Sequence, residues 1–327
     1  MSTSPQRLAL LAPLLLWLAG CSAEKVATAQ AEAPVAVKAC LKSVAGGPAV
    51  RDGMVWVPGG RTTLGSEAFH PEEAPKRTAQ VAGLWMDIHE VTNGQFAEFV
   101  AATGYVTAAE RQRNGGAVFI GGGPGGLDVS QVWRVDQQAS WRLPFGPGSS
   151  TSGLEALPVV QIAYEDALAY ARWRGRDLPT EAEWERAARG GLSEAEYVWG
   201  AAPAHANGKP RANHWQGVFP IQDTADDGFR GLAPVGCFEA NGYGLHDMAG
   251  NVWEWTKDPW PEATPVDGFV PGARVIKGGS WLCSDDFCHR YRPAARQPGD
   301  PSLGTSHLGF RTVLRAPGPE TPSEETT

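Results

Sequence analysis

Cys283 and Cys288 are the residues of this chain best placed to do chemistry. They lie in Lys277-Gly-Gly-Ser-Trp-Leu-Cys283-Ser-Asp-Asp-Phe-Cys288-His-Arg-Tyr-Arg-Pro-Ala-Ala-Arg296. Thiolates are soft ligands, so a close pair favours Cu(I) or zinc over calcium or magnesium. Arg290, Arg292 and Arg296 follow at once, and nearby guanidinium groups lower a thiol pKa. Spacing alone also suits a structural disulfide in an exported protein. A structural zinc fits less well, because it wants four ligands and the pair supplies two. His289 and His307 are at hand, but their spacing does not demand a metal.

Two oxygen-rich clusters precede the cysteines. Asn213-His-Trp-Gln-Gly-Val-Phe-Pro220 and Asp226-Asp227-Gly228-Phe229 bracket one short loop; Asn241-Gly-Tyr-Gly-Leu-His-Asp-Met-Ala-Gly-Asn-Val-Trp-Glu-Trp255 forms the other. Carboxylates and amides beside turn-forming glycine are hard-cation ligands when carbonyls complete the shell. Alone, Asp-Asp-Gly is more often only a turn.

The elements that must position these groups are short. Glycine (40) and proline (26) are abundant and charged residues make up only 20%, a composition of many turns and few long helices. The formal charge of -8 argues against a nucleic-acid surface. The folded domain is expected to start near Met54, with residues 54–65 as strand, Pro-Gly turn and strand. Residues 84–91 read as a strand, and Thr92 caps a helix over 93–103 with Phe96, Phe99 and Val100 in the core and Gly104 as its stop. Residues 111–153 read as loop, 158–163 as a strand and 164–174 as a helix. Thr180 and Glu183 form a capping box for a helix to Arg189, ended by Gly190-Gly191. Glu181, Glu183 and Glu185 are expected as cap and exposed first-turn carboxylates, not as catalysts.

The ends read differently. Residues 1–20 form a signal peptide with an apolar run too short for a confident membrane span. Leu18-Ala-Gly-Cys21 resembles a bacterial lipobox, which makes Cys21 a lipidated N-terminus. Ser22 favours outer-membrane or surface display of the exported, membrane-anchored chain. Residues 21–50 serve as a tether, 51–315 as the domain and 316–327 as a disordered acidic tail. Cys40 and Cys237 remain, and in an oxidising compartment they could pair.

The cysteine segment resembles the active-site segment of the formylglycine-generating enzymes, the sulfatase-modifying factors. Shared features are the Gly-Gly-Ser turn, the Cys-x4-Cys pair, the Tyr-Arg and Ala-Ala-Arg run, and His307-Leu-Gly-Phe-Arg311, where His replaces the usual Asn. The Gly-Asn-Val-Trp-Glu-Trp block is the superfamily's most recognisable signature, and the resemblance spans residues 54–313. It implies an irregular α+β fold related to C-type lectin-like folds, low in regular secondary structure.

It also implies a copper-dependent oxidase. Cys283 and Cys288 would hold Cu(I), with Ser280 and Trp253 lining the oxygen pocket. The substrate would be a cysteine in an unfolded sulfatase segment, Cys-x-Pro-x-Arg, converted to Cα-formylglycine with O2 and a thiol reductant. Ala139-Ser-Trp-Arg142 resembles a groove-lining segment, so Ser140, Trp141 and Arg142, with Arg292 and His307, are the expected substrate contacts. A first structural calcium would take the side chains of Asn213 and Asp227 and the carbonyls of His214 and Phe229. A second would take Asp247 and Glu254 with the carbonyls of Gly250 and Val252. The alternative is a non-enzymatic, lectin-like binding or assembly lipoprotein with Cys283 and Cys288 bridged. An iron-dependent relative making carbon–sulfur bonds ranks low, because the seven histidines show no His-x3-His-x-Glu cluster.

Overall fold

The computed structural model of the chain describes residues 40–41, 50–112, 115–121, 132–262, 264, 266 and 270–319. The signal peptide, Cys21 and most of the tether lie outside them, as do the last eight residues of the tail. Among the described residues the strands are β1 (Val50–Arg51), β2 (Met54–Val57), β3 (Gly60–Leu64), β4 (Arg77–Val81), β5 (Leu84–Asp87), β6 (Gly116–Phe119), β7 (Trp133–Asp136), β8 (Gly217–Val218), β9 (Gln222–Asp223), β10 (Trp253–Pro259), β11 (Arg274–Lys277), β12 (Arg296–Gly299), β13 (Gly304–Thr305), β14 (Leu308–Gly309) and β15 (Val313–Leu314). The α-helices are α1 (Asn93–Thr103), α2 (Ala108–Gln112), α3 (Tyr164–Trp173) and α4 (Glu181–Arg189). Strands this short gain little from their own ladders, so the layout is an irregular α+β fold held by packing between distant segments.

Two four-stranded sheets, β1-β2-β5-β15 and β12-β11-β10-β14, frame the chain. Smaller sheets are β13-β6-β7, β3-β4 and β8-β9. In the second large sheet, β10 runs antiparallel to β11 and parallel to β14, with Trp253 opposite Leu308. Trp184, Trp253 and Trp255 are fully buried beside Phe96, Tyr170 and Phe310. Their indoles keep partners: Trp184 Nε1 donates to Glu254 at 2.7 Å and Trp255 Nε1 to the Ile162 carbonyl at 2.9 Å.

The helix signals hold. Thr92 and Gln95 close a capping box on α1, Gly104 ends it in the left-handed conformation, and Phe96, Phe99 and Val100 are buried. Thr180 and Glu183 do the same for α4, ended by Gly190.

Other readings need correction. Residues 111–153 carry β6, β7 and the end of α2. Residues 158–163 are not a strand. Their backbone hydrogen bonds go to different segments, Val159 to Val91 and Gln161 to Thr305, so no ladder forms. Gln161 sits at φ 60° and turns its amide inward onto the carbonyls of Ala117 (3.2 Å) and Pro144 (2.8 Å). The first strand among the described residues is at Val50–Arg51. The tail's first residues are placed, since Trp85 Nε1 donates to the Pro317 carbonyl at 3.0 Å. Glu181 and Glu185 are buried, not exposed. Cys40 and Cys237 form a disulfide, their Cα atoms 4.7 Å apart.

Candidate active site

The cysteine segment begins where β11 ends. Lys277, fully buried, pairs with Glu185 of α4 at 3.1 Å, and Arg189 holds the other oxygen of Glu185 at 2.7 Å. Burial opposes the Glu185 charge, but Lys277 and Arg189 overcome it and hold the carboxyl below its ordinary value. Gly278 and Gly279 then turn the chain at φ 99° and 73°. A Cβ at Gly279 would stand 2.8 Å from the Arg290 and Tyr291 backbones, so only glycine allows the returning strand so close.

Past this turn come the two cysteines and the segment that meets His307. Cys283 N–H donates to the Ser280 carbonyl (2.9 Å), and Cys288 N–H to that of Ser284 (3.3 Å). The two cysteines are buried with their Cα atoms 4.9 Å apart, and their sulfurs are bonded to each other. Ser280 Oγ lies 3.0 Å from His307 Nδ1. The His307 carbonyl accepts from Trp253 N–H at 2.8 Å, and its ring packs on Trp133 at 4.8 Å. Burial pushes the His307 imidazole down to about 3, so it is neutral at ordinary pH. The structure therefore gathers Cys283, Cys288, Ser280, His307 and the Trp253 backbone.

The arginines after the pair are otherwise engaged. Arg290 pairs with Glu72 (2.6 Å), Arg292 with Glu73 (2.5 Å) and Arg296 with Glu181 (2.9 Å). Their charges are met by carboxylates. Arg292, 1% exposed, also donates to the His289 carbonyl and lies over Phe69. It is a strut between the cysteine loop and residues 69–73. The groove residues divide similarly. Trp141 is buried against Phe96 of α1, ring centres 5.2 Å apart. Ser140 is buried in a bridge to Leu143. Arg142 alone is exposed, lying over Trp141 and paired with Glu110.

The first oxygen cluster closes around Asp227. Its carboxylate accepts from the N–H groups of His214 (3.2 Å) and Phe229 (2.9 Å) and from the Gln216 amide (2.9 Å). These donors are neutral, and burial raises the Asp227 pKa. Asn213 bonds the Gly231 carbonyl and Asn251, each at 2.9 Å, and its own carbonyl accepts from Asn251 N–H, which ties this cluster to the next.

In the second cluster Asp247 accepts from Gly236 N–H at 2.6 Å, and Gly250 N–H donates to the Gly278 carbonyl at 2.9 Å. Val252 is fully buried. Arg311 grips both oxygens of Glu254 at 2.7–3.0 Å. Glu90, which motif spacing missed, closes the group. It is fully buried, accepts from Asn251 at 3.1 Å through one oxygen and leaves Oε2 without a partner. Burial first, then the Asp247 charge, pushes its pKa well up. Three buried carboxylates against one guanidinium, with an orphaned oxygen, fit a hard cation. Among the described residues no three His, Cys, Asp or Glu side chains form a metal cage. An ion here would draw on one or two side chains and on carbonyls.

Comparison with known proteins follows the same outline. The family description "Sulfatase-modifying factor enzyme 1-like domain" matches residues 43–316. The chain is 46% identical over 293 residues to the "Formylglycine-generating enzyme" of Mycobacterium tuberculosis, covering 80% of this chain and 97% of that protein. It is 38% identical over 329 residues to the "Inactive C-alpha-formylglycine-generating enzyme 2" of Mus musculus, covering 94% of each. Among solved structures, PvdO from Pseudomonas aeruginosa shares the fold, with a TM-score of 0.56 and 24% identity over 80% of this chain and 93% of that one.

Proposed function

The chain belongs to the sulfatase-modifying factor enzyme 1-like family, and we propose that it converts a cysteine of a sulfatase polypeptide to Cα-formylglycine. The observation that carries this reading is the buried Cys283–Cys288 pair set beside Ser280 and His307. A relative called inactive is similar over most of this chain, so the reading rests on the pair and not on the fold alone.

The finer reading is an oxidase. The thiol carbon of the substrate cysteine is oxidised to a thioaldehyde with O2 as the oxidant, and water then converts it to the aldehyde with loss of sulfide. Balance requires two electrons and two protons from a thiol reductant, which yield one water. The same reductant must first open Cys283–Cys288, and the two thiolates are then a soft site suited to Cu(I). Copper held there would supply one-electron redox chemistry with oxygen. The chain's own residues exclude water and fix geometry. The neutral His307 ring orients the Ser280 hydroxyl, and the arginine struts hold the loop against residues 72–73. Two calcium ions would pin the loops through the clusters around Asp227 and Asp247. We place the chain outside the cytoplasm, anchored through Cys21 and meeting exported sulfatases still unfolded. The Cys40–Cys237 disulfide suits an oxidising compartment.

A binding or assembly lipoprotein is the second reading, favoured by the bonded sulfurs of Cys283 and Cys288. One experiment separates the two. The chain from Val35, keeping Cys40, is reduced, loaded with Cu(I) and incubated with O2 and a Cys-x-Pro-x-Arg peptide. Peptide mass showing loss of sulfur and two hydrogens with gain of one oxygen, absent in Cys283→Ala and Cys288→Ala, establishes the oxidase. An unchanged peptide with verified copper moves the assignment to the binding protein.

A further inference from the structure

Tyr291 is buried in the same cluster as Cys283 and Cys288, and it begins a stack of oxidisable rings. Tyr197 lies on it with ring centres 5.9 Å apart and planes within 15°. Trp199 lies on Tyr197 at 5.0 Å and 3°. The two tyrosines are buried, whereas Trp199 is only partly so. The stack therefore leads from the cysteine cluster toward solvent.

Packing accounts for stacked rings but not for what their hydroxyls meet. The Tyr291 hydroxyl donates to Asp285, which lies between the two cysteines in sequence. Tyr197 Oη lies 2.8 Å from Nε2 of His289, the residue after Cys288. A phenol that gives up an electron also sheds its proton, and a base already within hydrogen-bond reach takes it without delay. Both phenols have such a base, and both bases belong to the cysteine segment.

We propose that Tyr291, Tyr197 and Trp199 carry electrons from a thiol at the surface to the cysteine site. This rests on the function proposed above, whose balance takes two electrons from a thiol reductant. The pair is buried, so a substrate cysteine seated there excludes a second thiol, and the electrons need another way in. Tyr291 gives an electron to the reduction of O2 at the site and its proton to Asp285. Tyr197 then refills Tyr291, passing its own proton to His289 while Asp285 returns the first. Trp199 refills Tyr197 in turn, and His289 returns that proton. A thiol restores Trp199 by losing one electron and, with its S–H bond, one proton. Two passes supply two electrons, and the two thiyl radicals join in an S–S bond.

Freeze-quench electron paramagnetic resonance tests it. The reduced, copper-loaded chain is mixed with O2 and a Cys-x-Pro-x-Arg peptide, with no thiol to refill the stack. A tyrosyl radical should accumulate, its signal narrowed by ring-deuterated tyrosine and about tenfold weaker or more in Tyr291→Phe. With thiol present, Trp199→Phe should lower kcat about tenfold and leave the peptide KM unchanged. Trp199→Tyr keeps an oxidisable ring and should restore most of that loss, a rescue that packing alone does not give. Conversion of the peptide without a radical, at the parent kcat in Trp199→Phe, overturns the electron path and leaves the enzyme reading intact. A radical without conversion supports the path and overturns the peptide as substrate. Neither radical nor conversion overturns both.

Discussion

His307 is where this chain departs from the family's asparagine, and the departure has a measurable consequence. A ring held neutral to about 3, against an ordinary value of 6.5, makes the native state bind fewer protons than the unfolded chain between those limits. Its contribution to stability is then complete above about pH 6.5 and is lost as pH falls toward 3. His89 and His214, both pushed down to about 4 chiefly by burial, act in the same direction. The urea midpoint should fall between pH 6.5 and 4, and His307→Asn should make that fall shallower. An unchanged slope in the variant would mean that His307 titrates alike folded and unfolded. At this scale the sequence was readable where chemistry depends on residue type. Cys283, Cys288, Ser280 and His307 do stand together. Side-chain direction was not legible: Trp141 turns into the core, and Arg292 is enclosed by Glu73 and Phe69.

Among the elements, α4 and the end of β11 matter most to the site. Lys277, Glu185 and Arg189 form a buried ionic triad one residue ahead of the Gly-Gly turn. Removing one partner of such a group leaves a buried charge uncompensated. Lys277→Met should cost about 3–5 kcal/mol of stability by that measure, read as a lower urea midpoint. Thr180→Ala, which removes only the cap, should cost about 1 kcal/mol. Equal losses in the two variants would deny the triad its special role. Helices were legible because their caps are local: Thr92 with Gln95, and Thr180 with Glu183. The strands were less so, because β5 finds its partners 30 residues before it and more than 200 after it, at Met54–Val57 and Val313–Leu314. Residues 158–163 look apolar enough for a strand, yet Gln161 sends their hydrogen bonds elsewhere.

For the molecule as a whole, the Cys40–Cys237 bond links residues 197 apart and so closes most of the chain into a loop. Loop-closure entropy assigns so long a loop about 5 kcal/mol, and Cys40→Ser should lower the thermal midpoint accordingly. The bond also bears on the proposed cation. Cys237 follows Gly236, whose N–H holds the Asp247 carboxylate at 2.6 Å, beside the orphaned oxygen of Glu90. A calcium ion bound there only in the native state would add about 2.7 kcal/mol at 100 times its Kd. Melts with calcium and with chelator, in the parent chain, Glu90→Gln and Cys40→Ser, separate the contributions. The parent should gain from calcium. Glu90→Gln should lose much of that gain, because it removes a charge from the cluster. Cys40→Ser should start lower and also gain less, because the loop carrying Gly236 is no longer held. Equal calcium gains in the parent and Cys40→Ser would show that the disulfide and the cluster act independently, as sites without shared contacts do. A parent that gains nothing would leave Glu90 protonated and the cluster without an ion.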